Sequence, residues 1–227
     1  MIGFFRKIRK QLADDNKPLK YARYAIGEIA LVVVGILIAL SINNWNEERK
    51  EKDIIENFLG RVRLDLAGDK AELVRIINIQ KGNKQNIEFL LKSLEIGSQT
   101  DKIILDSMFI SIYNGNPTFF PVVGTYHSAL SSGTLRLIRN DILLTKIVSL
   151  YDSYNRLDYN GKTLDNKWYK MNEKYKFELR TKQLKSMSIN EITELKDDLN
   201  WYYITVKFYI DRCTQTLELI NEMLEQE

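Results

Sequence analysis

Residues 24–45 read YAIGEIALVVVGILIALSINNW, from Tyr24 to Trp45, and this stretch decides how the rest of the chain is organised. At a rise of about 1.5 Å per residue, about 20 helical residues match the roughly 30 Å hydrocarbon core of a bilayer. Glu28 is its one charged residue. The stretch is therefore read as a transmembrane helix, with Tyr24 and Trp45 as interfacial anchors, because aromatic rings with a polar edge favour the headgroup level.

The flanks set the orientation. Arg6, Lys7, Arg9, Lys10, Lys17, Lys20 and Arg23 precede the span against only Asp14 and Asp15, whereas Arg49, Lys50 and Lys52 follow it among Glu47, Glu48, Glu51 and Asp53. The flank richer in Lys and Arg stays inside. Residues 1–23 are thus expected in the cytoplasm, 24–45 in the inner membrane, and 46–227 in the periplasm or outside the cell. The formal charge of +3 misleads, since residues 1–24 hold seven basic and two acidic side chains and the remainder is net −2. No broad basic surface for nucleic acid is expected.

A cleaved signal peptide shares the basic-then-apolar pattern, but this apolar run is long and no A-x-A pattern follows it, which favours an uncleaved anchor. Upstream, GFFRKIRKQL spaces Phe4, Phe5, Ile8 and Leu12 along one helical side. That spacing suits an amphipathic helix on an anionic inner leaflet, and the same residues suit a simple basic topogenic tail.

Within the span, Glu28, Val32, Gly35, Ala39, Ile42 and Asn46 fall on one face, and Gly35 with Ala39 forms a small-xxx-small pair that lets helices approach closely. This face is read as a seam for self-association or for another membrane protein. Glu28 has three readings. It could reach headgroup water near the helix N-terminus, bond across a helix pair, or transfer protons, since an intramembrane acid is a functional candidate by default.

Downstream, a single cysteine, Cys213, rules out an intramolecular disulfide, so the domain is held by its core or by assembly. Only three prolines interrupt long helical periodicities, which predicts an all-α fold in which the membrane helix continues into a bundle of long antiparallel helices. The first helix continues from Trp45 along Phe58, Val62, Leu66, Leu73, Ile76, Ile87 and Leu90, with Gly60, Gly68 and Gly82 as points of bending or interruption. A second starts at Asp141 as N-cap and runs to Leu179. A third starts at Ser188, whose pairing with Glu191 is a capping-box pattern, and carries the cleanest stripe in the chain. Between the first two, residues 100–140 predict two short helices separated by NGNPTFFPVVG, the second ended by Gly133 as a left-handed cap. Phe119 and Phe120 are too apolar for an idle loop and are expected to pack on the bundle or meet a partner.

The anchor, through Gly27, Glu28, Gly35, Asn43, Asn44, Trp45, Asn46 and Glu47, resembles that of an uncharacterised family of short single-span inner-membrane proteins of Gram-negative bacteria. The run Leu130, Ser132, Gly133, Leu137, Ile138 and Asn140 is similar to that family's soluble part. The resemblance implies a helical domain outside the cytoplasm and supplies no activity.

The chemistry-bearing residues form no recognised constellation. His127 is the single histidine, which excludes a multi-histidine metal site, and no G-x-S-x-G elbow accompanies Ser128, Ser131 and Ser132. No Walker A loop or dinucleotide glycine fingerprint occurs. Asp197 and Asp198 read as a solvated helix face. The expected protein is thus non-enzymatic, without metal or cofactor: a membrane-anchored scaffold or accessory subunit, oligomeric, with the bilayer as its first partner. Two other classes compete. Abundant tyrosines suit a ligand-binding sensory bundle, although about 24 residues inside are too few for a transmitter domain, and Glu28 suits the single-span partner of a proton-driven complex.

Overall fold

The computed structural model describes residues 18–94, 102–113, 115–181 and 187–225, and among them every regular element is helical. Helix α1 spans Pro18–Ser93, α2 Lys102–Tyr113, α3 Gly124–Ser132, α4 Asp141–Lys174, α5 Lys176–Thr181 and α6 Ile189–Leu224, with a 3-10 turn at Thr134–Leu137. The fold is all-α. The amphipathic reading of Phe4, Phe5, Ile8 and Leu12 lies outside the described residues.

The chain divides into two units between Glu56 and Asn57, within α1. In the first unit the large apolar side chains from Tyr24 to Trp45 are exposed, Leu31 to 75%. Beyond them Glu47–Lys50 and Lys52–Glu56 make ion pairs one helical turn apart, which add little at such exposure.

The second unit is built on three interlocking stripes. On α1 a buried stripe runs through Val62, Leu66, Asp69, Leu73, Ile76, Gln80, Asn83, Ile87 and Leu90, separated alternately by four and three residues, with Phe58, Ile77 and Ser93 also buried. On α6 the same alternation runs through Leu195, Leu199, Tyr202, Val206, Tyr209, Cys213, Thr216, Ile220 and Met223. Helix α4 follows it through Ile147, Leu150, Tyr154, Leu157, Gly161 and Leu164. This is the spacing by which coiled-coil helices keep one seam facing a partner. Gly60, Gly68 and Gly82 leave α1 unbroken. Each costs roughly 1 kcal/mol of helix propensity, which burial of the neighbouring stripe offsets.

Cross-helix bonds fix the directions. Tyr154 meets Asp69, while Asn116 links Gln80 to Asp165, so α4 runs parallel to α1. Ser153 meets Thr216 at 2.6 Å, and Lys174 meets Glu194 at 2.6 Å and Asp198 at 2.7 Å, so α6 runs antiparallel to α4. The parallel pair is reached because α2 and the segment after it return the chain between them.

Helix ends follow local chemistry. Ser188 and Glu191 form the capping box, and Gly133 takes the left-handed conformation at φ 79°. The N-cap of α4 is Asn140 rather than Asp141: the Asn140 amide oxygen accepts the N–H groups of Ile142 and Leu143 at 3.0 and 3.1 Å. Asp141 instead lies in the first turn, where its charge suits the helix dipole. The second long helix stops at Lys174, short of Leu179. Tyr175 leaves helical geometry as its ring meets Phe109 edge-on and its hydroxyl donates to Asp198 at 2.7 Å.

Candidate functional site

Residues 115–123 have no regular structure, so their backbone polar groups must find partners outside a helix or sheet. Pro117 and Pro121 fix φ and withhold two N–H donors. The rest of the strap is gripped from three helices. From α1, Gln80 donates to the Pro117 carbonyl at 2.9 Å and to Asn116 at 3.1 Å, and Asn83 donates to the Gly115 carbonyl at 3.3 Å. From α4, Asp165 accepts the Asn116 amide at 2.8 Å and the Thr118 hydroxyl at 3.2 Å. From α6, Tyr202 donates to Asn116 at 3.1 Å, while the Tyr209 hydroxyl accepts the Phe119 N–H at 2.8 Å. Gly161 lets the strap approach α4: a Cβ there would stand 3.4 Å from Thr118 Cβ and 3.6 Å from the Tyr209 ring.

Asp69 closes the far end. Its carboxylate accepts the Tyr154 hydroxyl at 2.7 Å and the Val122 N–H at 3.2 Å. Burial pushes its carboxyl above the ordinary range, only partly opposed by the Tyr154 and Val122 bonds, and the nearby Asp65 charge pushes the same way. Burial likewise raises Tyr151 and Tyr154, which remain neutral phenols beside this charge. A chain of rings lines the same region, with Tyr126 stacked on Tyr151 at 3.9 Å, and Tyr154 edge-on to both Tyr151 and Phe119. Cys213, buried on the α6 stripe, has its thiol pushed up to about 12 by burial, which leaves it unreactive. The arrangement is acceptor-rich, aromatic and closed, suited to holding backbone and a small polar group.

The family of unknown function DUF6090 matches residues 28–212. The chain belongs to this family. The DUF6090 match opens at Glu28, and it contains the strap together with Asp69, Gln80, Asn83, Asp165, Tyr202 and Tyr209, the residues that grip it. No significantly similar curated protein and no significantly similar solved structure was found.

The residues singled out in the sequence occupy separate places. Tyr24, Glu28, Gly35, Ala39 and Trp45 all lie on α1 in the first unit, and a Cβ added at Gly35 would meet nothing within 4 Å. Phe119 is 1% exposed and packs on Tyr154, whereas its neighbour Phe120 is 73% exposed. Neighbouring residues of an extended strap point to opposite sides. His127 is exposed, and Ser131 donates to the His127 and Ser128 carbonyls rather than to the ring. Asp198 is not a solvated face but the acceptor for Lys174 and Tyr175, which ties α4 to α6. The reading from sequence missed Asp69, Gln80, Asn83, Asp165 and Gly161. The signal was there for three of them, because Asp69, Gln80 and Asn83 stand on the same alternating three-and-four spacing as the apolar residues around them.

Proposed function

We propose that this DUF6090 protein is a non-enzymatic, single-pass inner-membrane scaffold or accessory subunit, with its N-terminus in the cytoplasm and its helical domain in the periplasm. The observation that carries the reading is the exposure of the apolar residues from Tyr24 to Trp45, since a run of that length and hydropathy is stable only in lipid or against other apolar helices. The open Gly35 supports a seam with Ala39 and Glu28 through which copies of this chain, or another membrane protein, associate. Support for a binding rather than catalytic role comes from the polar groups of the second unit, which bond to the strap's backbone and side chains. Mass determination of the full chain extracted in mild detergent tests the reading. An oligomer or a stable complex is the expected outcome, and a monomer without bound protein would overturn the scaffold assignment.

A further inference from the structure

Two buried polar atoms at one level of the bundle have no hydrogen-bond partner among the described residues, Asp65 Oδ2 and Tyr151 Oη. The parallel course of α1 and α4 brings them together. Asp69 accepts the Tyr154 hydroxyl, and one turn back along each helix stand Asp65 and Tyr151. Tyr151 is 3% exposed, so bulk water does not serve its hydroxyl, and its ring is pinned by Tyr126 at 3.9 Å and Tyr154 at 5.3 Å. Each buried polar atom left without a partner costs about 1–3 kcal/mol. The helix register set by Asp69 and Tyr154 places both at one level, where the Asp65 charge acts on Tyr151 and one group bonded to both would remove both costs.

The chemistry of that group follows from the surrounding atoms. Asp65 Oδ2 offers only lone pairs, as do the ionised carboxylate oxygens of Asp69, one of which takes no more than the 3.2 Å bond from Val122 N–H, and the neutral phenol of Tyr151 adds lone pairs beside its one O–H donor. The charges of Asp65 and Asp69 both bear on Tyr151. No Lys or Arg is among the groups that shift the Asp69 carboxyl. The Asp65 charge also adds to the upward push on Asp69, behind burial and the Tyr154 and Val122 bonds, and a positive charge beside the two carboxylates would oppose it. Among the described residues no group of three or more His, Cys, Asp or Glu side chains converges, which favours a weakly held cation of low charge over a tightly bound divalent ion.

We propose that Asp65, Asp69 and Tyr151 form a site for a small monovalent cation, either an alkali ion or the ammonium group of a small amine. Asp65 is half-buried, which gives the site a way in from solvent.

The full chain in detergent, at fixed pH and ionic strength, provides the test. N-methyl-D-glucamine chloride is replaced stepwise by sodium, potassium, ammonium or methylammonium chloride while the thermal midpoint is followed. At least one of the four should raise the midpoint saturably, and the alkali and ammonium arms tell the two sources apart. Asp65→Asn and Tyr151→Phe should each weaken the apparent affinity by about tenfold or more, since stabilisation by a ligand scales with its concentration over its dissociation constant. Both variants should melt no lower than the wild type in N-methyl-D-glucamine, because Tyr151→Phe removes a hydroxyl without a partner and Asp65→Asn removes a charge that disfavours ionised Asp69. Glu72→Gln, which alters an exposed pair with Arg75, should keep the wild-type response. A midpoint indifferent to all four cations, or an unchanged response in both site variants, would mean that only structural water occupies the gap and would overturn the proposal.

Discussion

Asp69 shows how one residue can be both a fastening and a burden. Its carboxylate holds the strap through Val122 N–H and holds α4 through Tyr154, yet burial disfavours its charge and raises its pKa. A carboxyl whose folded pKa lies above its unfolded value stabilises the fold fully below the unfolded pKa, and that contribution is lost as pH rises through the folded one. Asp69→Asn keeps one acceptor oxygen, which at the Oδ2 position lies within reach of both the Tyr154 hydroxyl and the Val122 N–H, and it has no charge to desolvate. Measured in N-methyl-D-glucamine chloride, where neither alkali ion nor ammonium is present, its melting midpoint should therefore exceed the wild type's at pH 7 and approach it toward pH 4, and a constant offset across that range would show that the charge is not the cause. Tyr154→Phe acts in the opposite sense. It removes the shortest donor to a buried carboxylate and should cost about 1–3 kcal/mol in urea unfolding. Tyr203→Phe removes a similar 2.6 Å bond to Glu88 at the bundle surface and should cost less, because water can replace the lost donor.

At the scale of elements, the long helices were legible because they obey one physical rule: a stripe must repeat at helical spacing to be buried. The Ser188 capping box and the Gly133 cap were legible for the same reason, each being a short pattern with a local cause. The strap was legible only as an interruption. Its burial depends on Asp69, Gln80, Asp165 and Tyr209, which lie up to 90 residues away and make sense only once three helices are in place. A search for apolar stripes passed over Asp69, Gln80 and Asn83 because they are polar, although polar residues inside a coiled-coil seam are devices that fix register. The strap's two phenylalanines should separate sharply in the full chain. Phe119→Ala empties a packed site and should cost roughly 3–5 kcal/mol, while Phe120→Ala should stay within about 0.5 kcal/mol of wild type. Equal effects in denaturant unfolding would mean that Phe120 is covered by an assembly. Gly161 offers a second handle on the same element. Gly161→Ala places its Cβ at ordinary contact distance from Thr118 and should be mild, whereas Gly161→Leu should lift the strap and speed its proteolysis at residues 115–123.

For the whole molecule the open question is what covers the apolar stretch from Tyr24 to Trp45. The Lys and Arg bias predicts that a periplasm-active reporter fused after Glu227 is active and one fused after Lys10 is silent, and the reverse pattern would invert the proposed localisation. The face carrying Glu28, Gly35 and Ala39 is the proposed seam with another helix. If that face meets another helix, Gly35→Leu inserts a side chain at the point of closest approach, and crosslinking in membranes should fall severalfold. A glycine facing lipid would accept the added bulk. Glu28→Gln separates charge from shape, because the amide keeps the size and hydrogen-bonding capacity of the acid and does not titrate. A structural seam should survive Glu28→Gln and fail with Gly35→Leu. Loss of function with an intact assembly in Glu28→Gln would instead favour proton transfer through the single-span partner of a larger complex. Crosslinking unchanged in Gly35→Leu would remove the seam from consideration, leaving residues 24–45 as a tether and moving the search for partners to exposed surfaces such as Phe120.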